Sequence, residues 1–169
     1  MADFRRACIA VALAAATLAS LPLAASHAQT PAPPPAYGLG ISLEAAKKAM
    51  AAAEAEARKN NWPVAIAIVD SSSKLVMFLK IDSTQHGSVD IAIGKATTAV
   101  NLRRPTKALQ DAIGQGGSNL RLLAVPGVLP LEGGVPIIAD GKVIGGIGVS
   151  GVTSEQDAQV ATAGANAAK

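Results

Sequence analysis

The stretch QHGSVDIAIGKATTAVNLRRPT, residues 85–106, gathers most of the side chains in this sequence that could do chemistry. It opens with His86, passes Asp90 and Lys95, and closes with Arg103 and Arg104. A histidine just ahead of a helix, with a carboxylate one turn along to orient the ring, is an arrangement that can ligate iron. Lysine and paired arginines bind carboxylates, the arginine fork more specifically than the lysine point charge. The same residues have plainer uses. A histidine there can simply face solvent, and cations at the far end suit the negative terminus of the helix. A hydrolytic triad of Ser88, His86 and Asp90 is not supported: the three crowd into one short run, and no strained G-x-S-x-G turn presents the serine.

These residues need a helix, and the spacing predicts one from about Gly87 to Leu102. Val89, Ala92 or Ile93, Ala96 and Val100 form its core stripe, while Asp90, Gly94, Thr97 and Asn101 form a second face of small or polar residues. That face would admit a partner helix or a flat ligand. An earlier helix is expected from an N-cap at Ser42 to about Asn60, with Leu43, Ala46, Met50, Ala53 and Ala57 at helical spacing and NNWP as its stop. VAIAIVD and KLVMFLKID flank the polar turn SSS and read as a hairpin. VPIIAD and KVIGGIGVSG read as a second hairpin around Asp140-Gly141. A short helix follows Pro105, and a last one is capped by Thr153 or Ser154 with Gln156 and Asp157 as capping-box partners. Between them GQGGSNLRLLAVPGVLPLEGGVP is a long Gly/Pro-rich connection and a candidate binding loop. Two hairpins among helices imply an α+β domain.

GIGVSG at 146–151 matches the dinucleotide pattern G-x-G-x-x-G. No second strand with an acidic residue follows to hold a ribose, and the strand arrives from a tight hairpin rather than a crossover. The glycines are expected to let a helix or a second subunit approach the strand closely.

Residues 1–28 read as a secretory signal: MADFRR is basic, CIAVALAAATLASLPLAA is apolar, and SHA supplies small residues for cleavage. The mature protein would then be periplasmic or secreted, with no stable membrane span. Cleavage removes the single cysteine, Cys8, and one of the two histidines, His27. Disulfides and cysteine-ligated metals are thereby excluded, and His86 is left alone. Residues 29–40, QTPAPPPAYGLG, are expected to form an extended, mobile tether. Residues 41–169 remain as the expected domain, long enough for a real core. The formal net charge of +3 falls further once Arg5 and Arg6 are removed, and aromatics are scarce, so a nucleic-acid partner has little support.

The runs IAIGKA, RRPT, LPLEGGVPI and the G-x-I-G-V-S-G segment followed by S-x-E-Q-D resemble the GlcG/HbpS-like haem-binding family, in order, across residues 42–167. The resemblance implies a profilin-like fold, a five-stranded antiparallel sheet with helices on both faces, assembled as a symmetric homo-oligomer. It implies a haem-binding protein that stores, senses or transfers haem, with a sensor protein as a partner. It makes His86 the axial metal ligand and Lys95, Arg103 and Arg104 the propionate partners. Thr97, Thr98 and Thr106 stand as weaker oxygen ligands if His86 is not used. Glu132, Gly133 and Gly134 would line a pocket against a neighbouring subunit. Few aromatics argue against a deep haem pocket, and shallow binding at a subunit interface fits better. Two other readings stand beside this one: a small-carboxylate (hydroxy acid) binding protein or enzyme of the same fold, and a structural oligomer that uses the Gly94 face only for assembly.

Overall fold

The computed structural model describes residues 33–168, so the signal sequence and the start of the tether lie outside the described residues. The elements follow in the order β1 (Ala36–Tyr37), α1 (Leu43–Lys59), β2 (Ala65–Asp70), β3 (Leu75–Lys80), α2 (Ser88–Leu102), α3 (Thr106–Gly114), a 3-10 helix (Gly117–Ala124), β4 (Gly134–Ala139), β5 (Lys142–Ser150) and α4 (Ser154–Ala167). Both hairpins form where the sequence places them. Asp140 and Gly141 turn the second with φ of 48° and 71°, the two positive values that a tight right-twisting hairpin needs.

β5 organises the sheet. It runs antiparallel to β2, from Ala65 opposite Ser150 to Asp70 opposite Gly145, and antiparallel to β4 on its other side. β3 extends the sheet beyond β2. The fifth strand differs from the expectation. β1 pairs with β5 in parallel, Ala36 opposite Lys142 and Tyr37 opposite Val143, so the sheet is mixed rather than wholly antiparallel.

The strand comes from the segment expected to be a mobile tether, and the cause is visible in two side chains. The Tyr37 hydroxyl lies 3.1 Å from both Val100 O and Asn101 O, carbonyls at the C-terminal end of α2. The Arg103 guanidinium stacks over the Tyr37 ring at 5.3 Å and donates to Pro35 O at 3.2 Å. A tyrosine and an arginine thus pin residues 35–37 to the fold. Tyr37→Phe is expected to cost about 1 kcal/mol and to lower the melting temperature by roughly 4 °C. Calorimetry checks the loss, and faster proteolysis ahead of Gly38 would accompany it.

Period-two alternation gives β2 two different faces. Ile66 and Ile68, with Ile147 and Val149 of β5, meet Ala46, Ala49, Ala53 and Ala57 of α1 and Val160 and Ala161 of α4. Leu43, expected on that stripe, is instead exposed in the first turn of α1. Ala65, Ala67 and Val69 face the other way, onto Ala92, Ala96 and Val100 of α2. The small side chains on this second face bring α2 very close to the sheet. A Cβ added to Gly146 would sit 2.9 Å from Ala96 O, and one added to Gly148 would sit 2.5 Å from Ala96 N. The glycines of GIGVSG therefore serve helix-on-strand packing, as the hairpin context implies. Among the described residues, no helix is long and apolar enough to cross a membrane.

Candidate functional site

α2 carries the candidate residues and sets how far apart they lie. Gly87 is its N-cap and makes no side-chain cap, so His86 stands just outside the helix. The His86 side chain is exposed and has no hydrogen-bond partner among the described residues; its backbone carbonyl accepts from Val89 N at 3.3 Å. Asp90 is exposed one turn along, and no hydrogen bond ties it to the imidazole. Arg103 ends the helix in the left-handed conformation, with φ of 51°. A helix of 15 residues is about 22 Å long. His86 and the Arg103–Arg104 pair therefore stand at opposite ends of α2.

Lys95 lies midway and is not available to a ligand. It is 2% exposed, and its ammonium donates to Asp157 Oδ2 at 2.8 Å and to Val149 O at 2.9 Å. Burial raises the Asp157 carboxyl above its ordinary range, and the hydrogen bond and charge of Lys95 pull it part of the way back. The role of propionate partner expected for Lys95 is corrected: the side chain is the inner half of a buried ion pair that joins α2, β5 and α4.

The LPLEGGVPI segment closes over this pair. Gly133 adopts φ of 119°, and a Cβ there would lie 2.8 Å from both Lys95 Nζ and Val149 O. Gly134 packs so tightly that a Cβ would clash with Lys95 O and the Thr106 methyl. The expectation that these glycines line a pocket is corrected too, since both face inward. Two of the three threonines have the same occupation. Thr98 Oγ1 accepts from Leu129 N at 2.8 Å, and Thr106 Oγ1 accepts from Gly134 N at 2.9 Å. Both are fully buried, so neither hydroxyl can reach a metal outside. Thr97, beside them, is half-buried. Glu132 is buried, with its N–H on Gln110 Oε1 at 2.9 Å and its carboxylate 3.9 Å from Lys107 Nζ.

The candidates thus divide into two groups. Lys95, Thr98, Thr106, Glu132, Gly133 and Gly134 are a scaffold that fastens the long loop to α2, α3 and α4. His86 and Arg104 face solvent, and Arg103 is shared with Tyr37. Arg104 uses only Nε, which donates to Leu102 O at 3.1 Å. The small-residue face is partly covered as well, because a Cβ on Gly94 would meet the Leu129 side chain at 3.0 Å. Asp157, expected as a capping-box partner, is instead the counter-ion of Lys95, and Gln156 completes the box with Thr153. The signal was present: a lysine on a helix of otherwise small, buried residues needs a buried anion.

Among the described residues, no group of three His, Cys, Asp or Glu side chains converges as a metal cage. Met50 is buried, Met77 is half-buried on β3, and the Tyr37 hydroxyl is engaged at the end of α2. Among the described residues, the His86 imidazole stands open. As a monodentate ligand it suits a prosthetic group that brings its own metal coordination.

Comparison with known proteins fits this fold. The family model described as "Haem degrading protein HbpS-like" matches residues 41–166, and the chain belongs to that family. Protein GlcG of Escherichia coli strain K12 is 40% identical over 93 residues, 55% of this chain and 68% of that protein. The crystal structure of HbpS superposes with a TM-score of 0.70 at 37% identity, covering 76% of this chain and 90% of that one. The crystal structure of a PduOC:haem complex also has a TM-score of 0.70, at 28% identity, covering 76% of this chain and 95% of that one.

Proposed function

We propose that this chain binds haem with His86 as the protein ligand to iron, in a shallow seat shared between copies of the chain. The observation that carries the reading is the open imidazole of His86, exposed and unbonded while the hydroxyls of Thr98 and Thr106 are buried and Tyr37 is engaged. Membership of the HbpS-like family and the likeness to a domain crystallised as a haem complex support it. Bound haem would supply a redox-active iron with a strong visible absorption. The chain's own part is to present one imidazole from a rigid helix start.

The geometry of α2 favours a seat between copies. Haem held at His86 cannot place its propionates on Arg103 or Arg104 of the same chain, because about 22 Å of helix intervenes, several times the reach from iron to propionate. Arginines from a second copy can supply that contact, with Arg104 the freer of the two. Leu120, Leu123, Val125 and Leu131 leave apolar surface exposed on and beside the 3-10 helix, which assembly would cover. An open seat of this kind suits sensing or transfer better than long storage. Residues 1–28 favour a periplasmic or secreted setting, where a sensor protein could read the haem-loaded state. The small-acid reading loses Lys95, which is committed to Asp157, and keeps only the arginines as its grip.

Hemin titration followed by absorption tests the proposal. The protein is expected to give a saturable shifted band, and His86→Ala to bind at least tenfold more weakly with unchanged melting temperature, because the side chain is exposed. Equal binding by the variant, or no saturable band from either protein, would overturn the assignment.

A further inference from the structure

A cavity lies where the end of α1, the entry to β2 and the exit of β3 meet. It encloses about 370 Å³ and is lined by Arg58, Trp62, Ile81, Asp82 and neighbouring turn residues; His86 and the arginines of α2 do not line it. Local chain geometry builds it. NNWP ends α1, Asn61 takes φ of 56°, and Trp62 N–H reaches back to Ala57 O at 2.9 Å. Across the cleft Ile81 N–H bonds to Val64 O at 3.0 Å. The chain then turns through Ser83 at φ of 68°, closed by Thr84 Oγ1 on Ile81 O at 2.6 Å. Two serine or asparagine residues held left-handed on facing walls make a fixed rim.

The charges of this cleft do not cancel. Arg58 is already committed to Glu54, whose Oε1 accepts from Nε and Nη2 at 2.7 Å each. Asp82 is exposed, and its carboxylate has no hydrogen-bond or ion-pair partner among the described residues. An unmatched carboxylate therefore stands beside a half-buried indole and the apolar side chains of Pro63 and Ile81. An indole face attracts cations, and a nearby carboxylate adds direction and charge. The volume suits a small molecule.

We propose that this cleft binds a small organic ammonium carrying an apolar group, with Asp82 taking the cationic head and Trp62 the apolar body. The site shares no lining residue with His86, Arg103 or Arg104 and does not rest on the haem reading.

Trp62 is the only tryptophan of the chain and reports on its own site. Haem-free protein, excited where tryptophan alone absorbs, is titrated with phenethylammonium chloride, with sodium benzoate and sodium chloride as controls. The indole N–H resonance of 15N-labelled protein is followed in parallel. A saturable change with the amine is expected in both readouts, at least tenfold weaker in Asp82→Asn, with no response to benzoate. Circular dichroism shows that the variant is folded. No saturable response to the amine, equal binding by Asp82→Asn, or preference for benzoate would each overturn the proposal, the last by giving the cleft to Arg58.

Discussion

Asp157→Ala is expected to lose about 3–5 kcal/mol of folding stability, enough to lower the melting temperature by 10 °C or more. The variant strands the Lys95 ammonium, which is 2% exposed, with Val149 O as its remaining partner in the structure. A hydrogen-bonded buried pair adds little over apolar residues of the same shape, but a buried charge without its partner costs the full desolvation. Lys95→Met should therefore be milder, because it leaves no unpaired cation and the Asp157 carboxyl, already raised by burial, can take up a proton. The double variant Lys95→Met, Asp157→Leu should recover most of the loss.

The milder variant also has a predicted pH dependence. Burial holds the Asp157 carboxyl above its ordinary value, and Lys95→Met removes the two strongest influences that lower it. A carboxyl raised in the folded state adds stability below its unfolded value, and that stability is lost as pH rises through the folded value. Urea unfolding of Lys95→Met should therefore show stability falling, as pH rises above the ordinary carboxylate range, more steeply than in the unmodified protein. A parallel pH dependence in the two proteins would mean that Asp157 does not respond to Lys95.

Gly148→Ala is expected to be at least as damaging. The new methyl would collide with Ala92 O and lie 2.5 Å from Ala96 N, both backbone atoms of α2 that cannot rotate aside. α2 would have to lift, separating Ala92, Ala96 and Val100 from Ala65, Ala67 and Val69. Ordinary overpacking costs about 1–3 kcal/mol, and this case should exceed it because a whole helix must move. Gly94→Ala is the contrast, since its methyl meets only the flexible end of Leu129. Thermal melts by circular dichroism should show a large loss for Gly148→Ala and a small one for Gly94→Ala.

These two residues also show how far the sequence could be read. Wherever a signal is local, it is legible. The Ser42 cap, the Thr153–Gln156 capping box and the Asp140-Gly141 turn all form as their spacing implies. The close approach permitted by the glycines of GIGVSG was legible too, because glycine on a strand inside a small-residue context has few other uses. What the sequence hides is pairing across distance. Lys95 and Asp157 are far apart in the chain and belong to different helices, so a lysine in a run of small residues looks equally like a ligand grip. Thr98 and Thr106 misled for the same reason, their loop partners being remote. The Pro-rich segment hid its docking because one tyrosine and one arginine, rather than any periodic pattern, secure it.

The central claim, that His86 supplies the ligand to haem iron, is tested most directly by pulsed electron paramagnetic resonance of the ferric haem complex. Protein made with 15N-histidine is compared with unlabelled protein, and His86→Ala serves as control. The account predicts that the axial nitrogen coupling changes from 14N to 15N on labelling and disappears in His86→Ala. A haem-loaded protein whose axial signal is indifferent to both labelling and substitution would contradict it.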